Sequence, residues 1–274
     1  MQRPLALRLA PLGLRTWMFY RFFRTRRARY GLLYAAAQLH HAPGVAMHLM
    51  PTDEGHACIA FTGVYELKLT RHLVAAARRG GVLVDVGANY GYYSLLWAAQ
   101  QPHNRVVAFE ASPRNFAPLE ENIARNQFTE RVELHRVALG RAAGSLEFDL
   151  GPTEQSGWGG LAGTASQNTL VVDVVRLDEV WLRADDIAVL KVDVEGADTW
   201  VLHGAQRLLQ QQRIKAVYYE ENKPRMRALG IEPGDAETFL VAMGYRVQAL
   251  SDRKNDLVEF AAYPRKREPR SAAM

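Results

Sequence analysis

Carboxylates at the ends of short apolar runs are the residues best placed to do chemistry in this chain. Residues 82–95 read Val-Leu-Val-Asp-Val-Gly-Ala-Asn-Tyr-Gly-Tyr-Tyr-Ser-Leu: an apolar, β-branched run, a turn holding Gly87, Asn89 and Gly91, then a helical pattern. A strand, a glycine turn and a helix N-terminus let backbone approach a ligand closely. In an open α/β sheet that place lies at the carboxyl ends of the strands. The dinucleotide fingerprint, counted from Gly87, requires glycine at the third and sixth positions, where Asn89 and Tyr92 stand instead. Asp85 would repel a diphosphate but suit a cationic amine or sulfonium. Glu110 ends the next apolar run, 19 residues past Gly91, where doubly wound folds set a carboxylate on ribose hydroxyls. The plainer alternative is that Asp85 and Glu110 only cap helices or end strands.

A nucleoside with a positively charged, non-phosphate tail suits both acids, and S-adenosylmethionine is the common cofactor of that description. A second acidic stretch, Leu190-Lys-Val-Asp193-Val-Glu195-Gly196, closes another apolar run. In a doubly wound sheet this strand neighbours the first, so this tip faces the same crevice; Asp193 and Glu195 share that face only while the strand stays extended, so either both acids point inward or one does. Three roles are open to them: general base toward a hydroxyl, electrostatic attraction of a sulfonium, or oxygen ligation of a divalent metal. Glu220 and Glu221, after Val217-Tyr218-Tyr219, are further candidates. The structural alternatives are a helix cap for Glu195 and an arginine pair for Glu220. Lys191 reads as a paired or snorkelling side chain, and His203 and His40-His41 as structural. No His/Cys/Asp set has zinc spacing, and no Ser-His-Asp arrangement is visible in the sequence.

These residues need a scaffold. The chain has 274 residues and is 48% hydrophobic, enough for one domain with an appendage. Strands are expected at 82–86, 105–110, 131–136, 187–193 and 214–220. Helices are expected at 94–101, 113–126, 178–184, 198–212 and 235–243. The alternation implies a mostly parallel, doubly wound sheet. Residues 145–150 and 170–176 look like an inserted β-pair, and 245–250 with 257–263 like a closing hairpin. The glycine-rich stretch 151–168 between the inserted strands reads as a mobile cover over the substrate or an ordinary surface loop. Upstream, 45–50 and 56–61 flank Pro-Thr-Asp-Glu-Gly and are expected to form a β-hairpin, followed by a helix over 67–79.

Residues 1–52 hold eight arginines and no acid or lysine, so this segment is +8 and the remainder of a +5 chain is −3. Basicity at the ends is no argument for a nucleic-acid substrate. Arginines and aromatics over residues 1–39 suggest amphipathic helices that lie on an anionic membrane or dock on their own domain or a second subunit; an organellar transit peptide is a weaker alternative. No apolar run approaches a membrane span, and Arg8 interrupts the only signal-peptide-like core. The single cysteine, Cys58, excludes a disulfide framework and fits a reducing, cytoplasmic setting; it reads as a small buried hydrophobe.

Asp85-Val-Gly-Ala-Asn-Tyr-Gly-Tyr-Tyr-Ser94, Ala108-Phe109-Glu110, Leu119 with Asn122 and Asn126, Leu177-Asp178 and Lys191-Val-Asp-Val-Glu-Gly-Ala197 together resemble the FkbM-type S-adenosylmethionine-dependent methyltransferases, over roughly residues 60–250. Gly63-Val64-Tyr65-Glu66 resembles the segment that precedes the motif in that family. The resemblance implies a Rossmann-like class I methyltransferase fold and O-methylation of a small molecule such as a sugar, glycolipid or polyketide-type metabolite. It places Asp85, Gly87, Asn89 and Gly91 around the methionine part, Glu110 on the ribose, Val137-Ala138 near the adenine, and Asp193 and Glu195 at the transfer site, with Glu220 a further catalytic candidate. Glu66, Ala88, Tyr90, Ser94, Ala111 and Asn115 complete the implied cofactor-binding set. Ala111 stands where members commonly have proline, and Asp198 where they commonly have glutamate. The implied organisation is a basic arm with hairpin (1–62), a methyltransferase domain (63–263) and a basic flexible tail (264–274). Two rivals remain at this point: a nicotinamide oxidoreductase on the same architecture, opposed by the missing glycines, and an inert domain whose working part is residues 1–39.

Overall fold

The computed structural model describes residues 3–152, 154–161 and 168–265. Among these, seven strands form the large sheet: β1 (Val82–Val86), β2 (Arg105–Phe109), β3 (Val132–His135), β4 (Ile187–Val192), β5 (Val217–Asn222), β6 (Tyr245–Ala249) and β7 (Leu257–Pro264). Their spatial order is β6-β7-β5-β4-β1-β2-β3. Strands β1 to β5 pair in parallel, while β7 runs antiparallel to both β5 and β6. This is the doubly wound, Rossmann-like sheet expected, closed by the expected hairpin. Continuous apolar runs suit strands covered on both faces, and every residue of β1 is buried. The order of strands reverses between β1 and β4, which opens a crevice at their carboxyl ends. The register there sets Lys191 opposite Asp85 and Val192 opposite Val86.

The helices Tyr92–Gln100, Pro113–Arg125 and Asp235–Ala242 fall where expected, give or take two residues. The inserted pair forms as Gly144–Asp149 antiparallel to Thr169–Val175, in a separate small sheet. Strand β5 starts three residues later than expected, and Ile214 keeps only an isolated bridge to Ile187. The helix expected over 178–184 is confined to Leu177–Val180. The one expected over 198–212 is broken into Asp198–Gly204 and Gln206–Gln210. The buried carboxylate of Asp178 explains the break, because it accepts from Arg207 N (2.8 Å) and Leu208 N (3.0 Å) and so caps a new helix. An unanticipated helix, Lys223–Ala228, follows β5 with Asn222 as its cap.

The upstream hairpin does not exist. Residues Glu54–Thr62 are an α-helix, and Ala46–Met47 pairs instead with Ala37–Gln38. Asp53 is a helix cap rather than a turn residue: its side chain accepts from His56 N at 2.8 Å, and Gly63 closes the helix in the left-handed conformation. The arm is not a separate unit either. Leu7, Phe19, Leu33 and Tyr34 are buried in the same core as Leu83 and Leu95 of the main domain. Phe61 is the meeting point, with Phe19 and Tyr30 rings at 5.3 and 5.2 Å from it. Cys58 is buried and free, as expected. The basic tail lies outside the described residues from 266 onward. Among the described residues no helix is long and apolar enough to cross a membrane.

Candidate active site

The crevice is a cavity of about 660 Å³ lined by both acidic strand tips, a volume within the range of small-molecule sites. The turn after β1 forms one wall. Its five N–H groups are all committed within the protein: Gly87 and Ala88 donate to Phe109 O (2.9 and 3.1 Å), Asn89 to Glu110 Oε2 (2.7 Å), Tyr90 to Asn89 Oδ1 (2.7 Å) and Gly91 to Ala88 O (2.8 Å). The turn therefore offers no N–H cradle to a diphosphate. Asn89 takes a left-handed conformation, φ 51°, to aim both its backbone N–H and its side chain this way.

Glu110 is buried, and its other oxygen accepts from Ser112 N at 2.9 Å. Burial pushes its carboxyl up to about 7, against the pull of the Ser112 and Asn89 N–H groups. Ser112, at the N-cap position of the following helix, makes no side-chain cap bond; its N–H goes to Glu110 instead. Ala111, Val137 and Ala138 line the same end of the cavity, and Phe109 is stacked on His135 at 4.9 Å. Asn115 also lines it; its Nδ2 donates to Ser156 O at 2.9 Å, while its buried Oδ1 has no partner among the described residues. A buried acceptor left without a partner is one that a donor brought by a ligand can satisfy.

At the other end, acids converge. Glu66, Asp193, Glu195 and Glu220 all line the wall. Glu66 holds a left-handed backbone, φ 40°, and accepts from Tyr93 Oη at 2.6 Å. Burial first, then the neighbouring Asp193, raise the Glu66 carboxyl to about 8. The same two causes raise Glu195 to about 7 and Glu220 to about 10. Glu195 is nevertheless engaged: Asn222 Nδ2 donates to it at 2.8 Å and Arg225 Nε lies 3.4 Å away. Asp198, whose burial raises it to about 7, ties the two tips together by accepting from Val194 N and Glu220 N.

Lys191 is the cation inside this cluster. Its Nζ is 3.5 Å from both Asp85 Oδ1 and Asp193 Oδ2 and donates to Gly87 O at 3.0 Å. Burial opposes its charge, but Asp193, Asp85 and Glu66 more than offset that and raise it. Lys191 is thus paired, as expected. Asp85, by contrast, does not reach the wall: it is fully buried, takes the hydroxyl of Ser94 at 2.7 Å and holds Lys191 from below. Ser94 and Gly91 are likewise absent from the wall; a Cβ on Gly91 would lie 2.7 Å from Leu119, so that glycine serves helix packing. Glu221, the neighbour of Glu220, points away and accepts from Gly234 N at 3.0 Å.

Sequence reasoning missed the third wall. His56 lies in the helix that was expected to be a strand, and Ser156 in the glycine-rich loop. Ser156 N donates to Asp53 Oδ2 at 2.5 Å, and its hydroxyl lies 3.2 Å from His56 Nε2 and 3.2 Å from Asn89 Nδ2. Asp, His and Ser meet here without forming a nucleophilic triad. His56 Nδ1 accepts from Met50 N (3.2 Å), so the proton of the neutral ring sits on Nε2 and points at Ser156. Burial keeps that ring neutral. The cluster is a latch that holds Ser156–Trp158 against the cavity. Arg225 Nη2 fixes the far end of the turn through Trp158 O at 2.7 Å. His203, expected to be structural, packs on Phe239 at 4.5 Å.

Among the described residues, eight carboxyl groups line the wall against two full cations, Lys191 and Arg225. Such a site attracts a cationic ligand and repels a polyanion.

The family model described as Methyltransferase FkbM domain matches residues 85–247. The hexuronic acid methyltransferase AglP of Haloferax volcanii is 29% identical over 178 residues, 64% of this chain and 67% of that protein. Methyltransferase 1 of Beauveria bassiana is 28% identical over 144 residues, 44% of this chain and 57% of that protein. The chain thus spans about two thirds of one curated relative and under three fifths of the other. Among solved structures, precorrin-6y C5,15-methyltransferase from Geobacter metallireducens GS-15 is similar at 13% identity and a TM-score of 0.44, covering 74% of this chain and 90% of that one.

Proposed function

The chain belongs to the FkbM methyltransferase family, and from that premise we propose that it moves a methyl group from S-adenosylmethionine to a hydroxyl of a small molecule, a sugar or glycolipid-type acceptor. The observation that carries this reading is the acidic cavity whose glycine turn has no N–H left for phosphate. Such a wall suits an adenosine-bearing sulfonium and not a nicotinamide dinucleotide. Glu110 and Asn115 Oδ1 would hold the ribose and adenine end, beside Ala111, Val137 and Ala138. Glu66 and Asp193 would face the methionine end, with Gly87, Ala88, Asn89 and Tyr90 as backing. Asp85, Gly91 and Ser94 support the site from behind it.

When bound, the donor supplies an electrophilic methyl carbon on a positively charged sulfur. The acceptor oxygen forms the new bond to carbon as the carbon–sulfur bond breaks, and the hydroxyl proton must leave. Positioning contributes much of such a rate. Of the three catalytic candidates, Glu195 suits proton removal best. Its carboxyl at about 7 is balanced near neutrality, whereas Glu220, at about 10, keeps its proton there. Asp193 is held by Lys191. Half-exposed Trp158 at the cavity wall presents a ring to a sugar face. The relative named for hexuronic acid supports a sugar acceptor. Calorimetric titration with S-adenosylmethionine and with its demethylated product tests the reading: saturable binding of both is expected, and no heat from either refutes it.

A further inference from the structure

The arm has an outward side that the cavity does not use. Its inner side is committed to the domain through Leu7, Phe19 and Tyr34, and through the guanidinium of Arg3, which donates to Ala60 O at 2.9 Å. Facing away, Leu5, Leu9, Trp17 and Leu32 are 64, 77, 56 and 67% exposed. Seven of the fourteen large apolar side chains exposed among the described residues fall within residues 5–32, so exposed apolar surface is concentrated on the arm. Exposed arginines interleave with it: Arg8, Arg21, Arg26 and Arg29. Arg21 lies 5.3 Å over the exposed ring of Phe22. Residues 1–52 contain no acidic residue.

We propose that this face docks on an anionic lipid bilayer, with the leucines and Trp17 entering the headgroup boundary and the arginines meeting lipid phosphates. The two properties together select this occupant. A second copy of the chain would set an arginine-rich face against itself, because a two-fold interface is self-complementary. A nucleic acid would use the arginines but leave exposed leucines unpaired. The arm also touches the cavity mouth. Tyr20 is exposed on the arm and lines the cavity, and Arg24 pairs with the wall residue Glu54 at 3.0 Å. Docking therefore sets the mouth at the membrane surface. If the transfer reading holds, and this consequence rests on it, the acceptor hydroxyl is carried by a lipid.

The test is co-sedimentation of the full chain with vesicles of equal parts phosphatidylcholine and phosphatidylglycerol, and with phosphatidylcholine alone. The comparison variant combines Leu9→Ser, Trp17→Ser, Arg26→Gln and Arg29→Gln. The native chain should pellet with the anionic vesicles at low salt and be released by high salt. The variant should lose at least about tenfold in partition, on the order expected for two arginines, while its melting temperature and S-adenosylmethionine affinity stay native. No pelleting with anionic vesicles, equal pelleting of the variant, or a solution dimer that the variant splits without any vesicle affinity would overturn the proposal. Vesicle binding in a chain that binds no S-adenosylmethionine would sink the transfer reading and leave the docking standing.

Discussion

The backbone carbonyl oxygen of Asp193 lies 1.9 Å from the point where a Cβ on Gly87 would stand. Gly87 is needed because the two acidic strand tips touch there, not because a ligand runs past it. Its φ of 73° adds a second demand for glycine. Gly87→Ala should force β1 and β4 apart. The left-handed conformation alone costs about 1–2 kcal/mol for an alanine, and the contact adds to it. Thermal melting and donor affinity should fall together. Lost donor binding with an unchanged melting curve would return Gly87 to direct ligand contact.

Lys191 holds β1 and β4 together electrostatically as Gly87 does sterically. Lys191→Met would strand Asp85, whose side chain is 1% exposed, without its counter-charge. Breaking a buried pair from one side costs about 3–5 kcal/mol. Urea unfolding should show that loss, and adding Asp85→Asn to the variant should restore part of it. An equally unstable double variant would show that Lys191 matters only through Asp193.

The large sheet was legible because its central strands are mostly apolar runs with glycine or an acid at the tip. Asp193 and Glu195 could be assigned to one crevice from strand order, with Glu220 at another strand tip as a further candidate. Asp85 does not reach the cavity wall because residues alternate sides along a strand, and nothing local tells that its side is occupied by Lys191 and Ser94. The helix at Glu54–Thr62 was hidden for a different reason. Residues 56–62 are all buried, so no helical period shows, and Pro-Thr-Asp-Glu-Gly mimics a turn. Asp53 followed by an acid in the first turn, with Gly63 at the end, was the available signal. The contact of His56 with Ser156 spans 100 residues and leaves no trace in local sequence.

The folded protein should hold protons that the unfolded chain does not. Glu66 and Glu220 are raised from the usual 4.5 to about 8 and about 10. Above 4.5 the unfolded chain releases protons that the native state keeps, so the stability of the empty protein should decline as pH climbs from about 4.5 toward these native values. A cationic donor favours the ionised carboxyls, so its binding at pH 7 should release protons. Titrations in buffers of different ionisation enthalpy measure that release directly. It should shrink in Glu220→Gln; a release unaffected by that change would move the proton to another group.

Glu195 should set the acidic limb of the activity profile. With its carboxyl at about 7 in the free protein, kcat/KM is expected to rise through that pH as the base ionises and then level off. Glu195→Gln keeps the hydrogen-bonding shape toward Asn222 Nδ2 but removes the base. The rate should drop by about 10²–10⁴, the usual contribution of a positioned general base, while calorimetric donor affinity changes little. The limb near 7 should vanish from whatever rate remains. Asp193→Asn distinguishes the neighbouring acid: that variant loses the partner of Lys191 and should weaken the donor without abolishing the limb. A Glu195→Gln enzyme with native rate and an intact limb would pass the base to Asp193.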